Sequence, residues 1–307
     1  MILKKLFTKR KRYLFPATIG EIKTNVPLAK KTWMGVGGAA EFYFEPANEK
    51  DLSNFIKNKP QIPTLVLGGG DGGVPGITIH LGKPFATIEQ DGDLIKCGAG
   101  LLTIDLARFA QKVGLSGFEF LSGIPGTVGG ALRMNAGAYG SEIKNIIQTI
   151  RAIDGNGAVQ EFTPQADFFK YRKNALPDDF IFIGATFKGT PESKEKILQT
   201  MMQYKASREK GQPIGIKTCG STFKNPEGLK AWQLIDSAGC RGLTRGDACI
   251  SEKHANFLIN KGKATAYDVE MLGEQVRKRV KEKSGITLEW EIKRVGVNKQ
   301  NEESEED

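Results

Sequence analysis

"SGIPGTVGGALRMNAGAYG" occupies Ser122–Gly140. Its glycines carry no side chains, so several backbone N–H groups can converge there on one anion. A set of tight turns is the other reading, since glycine-rich loops are often only turns. The stretch is not a G-x-G-x-x-G opening a helix, so it gives no argument for a doubly wound dinucleotide-binding sheet. On either side of it, strands and helices mix without a regular βαβ beat. That favours an α+β fold.

On the N-terminal side, "AEFYFEP" (40–46) alternates and is aromatic, which predicts a strand. A short helix is expected over 49–58, and a buried strand over 64–70 that runs into glycine. "GITIHL" (76–81) predicts a strand and "FATIEQDGDLIKCGAG" (85–100) a hairpin around Asp91-Gly92. Leu102, Leu106, Phe109 and Val113 form the apolar stripe of a helix over 101–115, with Gly114 as its left-handed cap. On the C-terminal side, a second hairpin is expected over 146–162, a strand over 180–189 and a long helix over 192–211 that bridges to a second domain. The helix over 265–285 has Thr265 and Asp268 as a capping box, a face of Val269, Leu272, Val276 and Val280, and Gly285 at its end. "LEWEIKRVG" (288–296) predicts a final strand, and the acidic "NEESEED" (301–307) a disordered tail.

With 307 residues the chain is long enough for two domains, or one large one. Hydrophobic residues at 39% and charged residues at 26% are those of a globular protein. A net charge of +9 favours anionic partners, either nucleic acid or phosphorylated small molecules. No recognisable nucleic-acid motif accompanies it, and part of the excess sits in "MILKKLFTKRKR", read as a solvated basic tail. Residues 1–30 read as a loosely attached lead-in. The four cysteines, Cys97, Cys219, Cys240 and Cys249, form no C-x-x-C pair, and the only histidines are His80 and His254. A disulfide framework and a zinc site are therefore not expected. No apolar run reaches transmembrane length and no secretory h-region follows the basic start, so a cytoplasmic protein is expected.

Five further segments bear chemically useful residues. In "LVLGGGDGGVPG" (65–76) six of twelve residues are glycine, either a phosphate cradle or a turn. "CGSTFKNP" (219–226) sets Ser221 after a glycine, without the G-x-S-x-G elbow of a hydrolase. Such a serine can cap a turn, or protonate a strongly basic carbanion. His254 in "SEKHANFLIN" (251–260) is either a ligand contact or a satisfied surface histidine. Glu289 and Glu291 fall on one face of the expected last strand, as a paired carboxylate site or a solvent-facing pair. Arg172 in "KYRKNALPDDF" (170–180) is a candidate bidentate carboxylate binder.

Together these segments resemble the UDP-N-acetylenolpyruvoylglucosamine reductase family, in its shorter subclass without an extra substrate-domain insertion. The resemblance runs over residues 20–296 and also rests on "TWMGVGGAAEFYFEP", "SREKGQP" and "AGCRGL" in that order with the others. It implies a FAD-binding domain of the vanillyl-alcohol-oxidase type (26–190) after a basic lead-in (1–25), then a smaller α+β substrate domain (191–297) and a tail (298–307). It implies non-covalent FAD, NADPH as co-substrate and a UDP-sugar enolpyruvyl ether as substrate. Nucleic-acid and membrane partners, and a metal, are not implied, and a monomer or weak oligomer is expected.

By motif, the resemblance makes Ser221 the proton donor and Arg172 and Glu291 its catalytic companions. Asn225, His254 and Arg208 fall at substrate-contacting positions. The flavin-contacting positions are Gly37, Gly68, Gly69, Gly70, Gly123, Ile124, Pro125, Gly126, Gly129, Gly130, Ala131, Asn135 and Ala136. Three departures stand out. The family usually reads "GGGSN", a few apolar residues, then "DGG", whereas this chain passes directly from Gly70 to Asp71. Gly35 stands where arginine is common, and Asp247 where glycine is common, which sets a negative charge near an anionic ligand. The alternatives are a family member with impaired flavin binding, or another flavin-dependent oxidoreductase on the same fold.

Overall fold

The computed structural model describes residues 3–7, 12–67 and 75–296. The expected cradle residues Gly68, Gly69 and Gly70 and the acidic tail lie outside the described residues. The described chain divides into two compact units. The first holds 3–7, 12–24, 42–67 and 76–207, and the second 25–41, 75 and 208–296. Both mix helix and strand, the α+β class expected. The units interleave in sequence where two consecutive domains with a boundary at 190/191 were expected. The reason is packing: Met34 and Val36, 0% and 3% exposed, belong to the core of the second unit. There the Asn260 side-chain amide donates to the Met34 carbonyl at 3.0 Å.

In the first unit, Ile77–His80 lies between two parallel neighbours, Thr64–Leu67 and the Phe42, Tyr43 and Phe44 part of the strand Ala39–Glu45. Helix α1, Glu49–Asn58, connects these two and is capped by the Asn48 side chain, which accepts the Asp51 N–H. Its buried Leu52, Phe55 and Ile56 face the sheet's apolar side, with Phe55 4.1 Å from Phe44 between ring centroids. Thr64–Leu67 is an edge strand, with Thr64 and Val66 exposed, so it is not the fully buried strand expected. Nor is the N-terminus a loose lead-in. Leu3–Phe7 pairs antiparallel with Arg12–Pro16, and Phe15 is completely buried against Phe42 and Phe55.

A second, antiparallel sheet follows the order Val159–Phe162, Ile147–Ile153, Ile181–Lys188, Leu94–Gly98, Ile88–Asp91. The Ile88–Gly98 hairpin turns at Gly92-Asp93, one residue later than expected, because Asp91 pairs with Leu94. Helix α2, Thr103–Val113, ends at Gly114 in the left-handed conformation with φ 77°. Its buried face is Thr103, Leu106, Ala107 and Ala110; Leu102, expected in the stripe, is the exposed cap residue before it. Helix α3 spans Val128–Met134 and α4 Lys194–Gly211.

The second unit holds an antiparallel sheet ordered Lys217–Ser221, Phe257–Asn260, Ala248–Ile250, Thr244–Arg245. Helices α5, Ala231–Ser237, and α6, Ala266–Ser284, pack with it. α6 has the Thr265–Asp268 capping box and ends at Gly285 with φ 74°. Val269, Leu272, Val276 and Val280 are its buried stripe. The strand expected over 288–296 does not form. Only an isolated bridge joins Phe223 and Trp290. The Trp290 ring instead lies against Gly273 of α6, where a Cβ atom would come within 1.9 Å of it, and its N–H donates to Glu274 Oε1 at 2.9 Å.

Candidate active site

Ser221 ends its strand just after a bulge. Thr218 pairs with Ile259 and Ser221 with Phe257, so three steps on one strand match two on the other. Gly220 absorbs the irregularity at φ 82°, a conformation that favours glycine. A bulge re-aims the side chain that follows it. Thr222, fully buried, then hands the chain on through its hydrogen bonds. Its N–H donates to the Asn256 carbonyl at 2.8 Å, its Oγ1 accepts the Leu258 N–H at 3.1 Å, and its carbonyl accepts the Glu291 N–H at 2.9 Å.

Asn256, 4% exposed, completes this frame. Its Oδ1 accepts the Phe223 N–H at 3.0 Å and its Nδ2 donates to the Phe223 carbonyl at 2.8 Å. Its own N–H donates to His254 Nδ1 at 3.2 Å. That bond leaves the neutral His254 with its proton on Nε2, as a hydrogen-bond donor. Burial lowers the His254 pKa, and the positive charge of Arg241 lowers it further. The ring stands edge-on to Phe257 at 4.7 Å.

Ser221, His254 and Glu291 are thus tied to one stretch of the second unit. The other candidates are placed differently. Asn225 Oδ1 accepts the Ala231 N–H at 3.0 Å, fastening the first turn of α5. Arg208, near the end of α4, donates from Nε to Gln212 Oε1 at 3.0 Å. Glu289 is exposed and ion-paired with Lys224 at 3.1 Å, while Glu291 is half-buried, so the two carboxylates occupy different environments. Asp247 sits at a hairpin tip beside Gly246, with its carboxylate accepting the Lys263 N–H at 2.8 Å. Its charge therefore serves a turn. Asn256 and Thr222 were not singled out from sequence; buried polar residues inside an apolar strand motif were the available signal.

In the first unit, Arg172 stands at the tip of a two-residue hairpin between Phe169–Lys170 and Lys173–Asn174. It adopts φ 55°, uncommon for a residue with a side chain, and its guanidinium lies 4.9 Å from the Tyr171 ring centroid. Such strain is concentrated at functional positions.

The glycine segment Gly123–Ala136 is in the same unit. Thr103 holds it from below: its N–H donates to the Gly126 carbonyl at 3.1 Å, and its Oγ1 to the Ile124 carbonyl. Gly126 takes φ 107°. Among the described residues, the Gly126 and Thr127 amides meet no acceptor. The next two amides are already used, Val128 on Leu101 and Gly129 on Ala99, both at 2.8 Å. At Gly129 a Cβ would meet Ala99 at 3.2 Å, whereas at Gly130 it would meet only Thr127 Oγ1 at 3.8 Å. Ala131 is buried, and its carbonyl accepts the Ala136 N–H at 2.9 Å. Asn135 caps α3 at φ 42°, with its side chain bonded to Glu142, Lys170 and Lys144. It is a brace for the loop. Gly37, at φ 128°, belongs to the second unit. Adjacent amides on an open glycine loop suit the phosphate and carbonyl oxygens of a flavin nucleotide, so the residues present fit FAD.

A FAD binding domain model matches residues 40–163, over the strands, α1, α2 and this loop. With this domain, the fold is that of a flavin-dependent oxidoreductase. The model of the UDP-N-acetylenolpyruvoylglucosamine reductase C-terminal domain matches residues 212–295. The chain belongs to the UDP-N-acetylenolpyruvoylglucosamine reductase family. It is 52% identical over 290 residues to a protein of that name from Methylorubrum extorquens, covering 92% of this chain and 94% of that one. With the one from Parvibaculum lavamentivorans it shares 50% over 292 residues, 93% and 94% of the two chains. The crystal structure of the Thermus caldophilus reductase aligns with TM-score 0.78 and 35% identity, over 90% of this chain and 99% of that one.

Proposed function

We propose that this chain reduces UDP-N-acetyl-3-O-(1-carboxyvinyl)glucosamine to UDP-N-acetylmuramate at the expense of NADPH. The observation that carries this reading is 52% identity over 92% of the chain to a reductase of that name. The two substrates belong to the cytoplasm, and the product to peptidoglycan synthesis, hence to cell-wall growth, shape and division. Among the described residues, no helix is long and apolar enough to cross a membrane.

Bound FAD supplies the hydride chemistry, taken from NADPH and given to the methylene carbon of the enolpyruvyl group. Gly126 and Thr127 would hold it through their amides, with Gly130 leaving the approach open. Everything else falls to this chain's side chains. Hydride addition puts negative charge on the carbon next to the carboxylate. The Arg172 guanidinium stabilises that charge electrostatically. The Ser221 hydroxyl delivers a proton to the same carbon; its high pKa is no obstacle toward so strong a base. Glu291, hung one residue along from Ser221, orients the site. His254, neutral with its proton on Nε2, donates to the substrate without adding charge, and Asn225 and Arg208 are its companions.

Turnover in deuterated water tests this directly. Solvent deuterium should appear at the carbon bearing the carboxylate, from the exchanged Ser221 hydroxyl, and also at the carbon that receives hydride, because a reduced flavin exchanges its transferable hydrogen with water. A product without deuterium at the carbon bearing the carboxylate would contradict it.

A further inference from the structure

We infer that Asn256 is the positioning residue of the protonation step. The inference rests on Ser221 being the proton donor. Asn256 touches no reacting atom; it acts on the segment that carries them. A side-chain amide that both accepts from and donates to one residue's backbone substitutes for a missing strand partner. Here it does so at Phe223, where the pairing of Lys217–Ser221 with Phe257–Asn260 has ended. The Asn256 carbonyl holds Thr222 in the same way at 2.8 Å. Residues 222 and 223 are therefore fixed on both sides of the peptide that joins them. Ser221 precedes this clamp, and Glu291 hangs from its Thr222 carbonyl.

The bulge explains the need for such a clamp. An extra residue interrupts the ladder between Thr218 and Ser221, and the pairing ends with the serine that must point in one direction. Without the Asn256 amide, the Phe223 N–H and carbonyl both lose these bonds, and the segment shifts to recover them. A misplacement near 1 Å at a reacting group costs on the order of a hundredfold in rate.

The test is stopped-flow kinetics of the FAD-loaded enzyme in two half-reactions. Asn256→Ala should leave flavin reduction by NADPH within about twofold and slow flavin reoxidation by the enolpyruvyl substrate about ten- to a hundredfold. In a Ser221→Ala background the same change should cost less than about twofold, since there is no proton donor left to aim. Asn256→Gln keeps the amide one methylene out of place and should slow the same step, which covers the case of an Ala variant that folds poorly. Hydrogen exchange supplies a readout independent of flavin: peptides spanning 221–224 should lose protection while α6 keeps its own. An equal loss in both half-reactions, or an undiminished effect in the Ser221→Ala background, would overturn the inference and leave Asn256 a plain structural residue. A Ser221→Ala enzyme with wild-type rate would instead overturn the proton-donor reading, before Asn256 is altered.

Discussion

The Glu291 N–H donates to the Thr222 carbonyl at 2.9 Å, so the glutamate hangs from the residue that follows Ser221. One peptide thereby sets the height of both side chains. If they serve one step, Glu291→Gln should lower kcat about tenfold or more and leave KM for the enolpyruvyl substrate within a few-fold. Steady-state kinetics at saturating NADPH measures this. A rise in KM alone would make Glu291 a binding residue only.

Ser221→Ala separates the half-reactions more sharply. General acid catalysis contributes about 10²- to 10⁴-fold, and that is the loss expected in flavin reoxidation by the UDP-sugar. Flavin reduction by NADPH should be nearly unchanged. Equal losses in the two, followed by stopped-flow absorbance, would remove Ser221 from the proton-donor role.

Gly126→Ala addresses the flavin loop. At φ 107° a Cβ is strained, and relief of that strain turns the Gly126 and Thr127 amides away from each other. Weaker FAD retention is expected, read as the ratio of flavin to protein absorbance after gel filtration. Full retention would show that these amides do not hold the cofactor.

His254 makes stability depend on pH. Burial holds its folded pKa below the ordinary histidine value, so the unfolded chain takes up a proton first as pH falls. The stability from neutral His254 is present above the unfolded pKa, near 6.5, and is lost as pH falls through the folded value. The melting temperature of wild type should therefore drop more between about pH 7 and 5 than that of His254→Gln. Parallel curves would exclude this contribution.

Thr265→Ala removes the α6 cap, in which Thr265 Oγ1 accepts the Asp268 N–H at 3.0 Å. The expected cost is about 1 kcal/mol in denaturant unfolding. No change would mean that tertiary packing of α6 outweighs its cap.

α6 was legible in sequence because every local signal agreed: the capping box, a four-residue apolar stripe and a terminal glycine. α1 was legible as a short helix between two strands. "LEWEIKRVG" misled because alternation marks which side chains turn inward, not whether a neighbouring strand exists. Leu288 and Trp290 do turn inward, into the core around α6. The N-terminus misled because its basic composition masks the apolar Phe15 and Ile22, which are buried in the first core. Ser221, Arg172 and Glu291 were legible only through motif order, since each alone reads as a common surface or turn residue. Of the clamp of Asn256 on Phe223, only the polar residue inside an apolar motif was legible, and its partner was not. The clamp joins residues 33 positions apart through backbone atoms, which carry no sequence signature.

We propose that a chain running directly from Gly70 to Asp71 still works as a flavin reductase. The visible absorption spectrum of the purified protein tests it most directly, taken anaerobically with FAD, then NADPH, then the UDP-sugar enolpyruvyl ether. A bound-flavin spectrum that bleaches with NADPH and returns with the UDP-sugar is the predicted result. A colourless protein that releases added FAD on gel filtration would contradict it, and would make the chain a reductase in ancestry only.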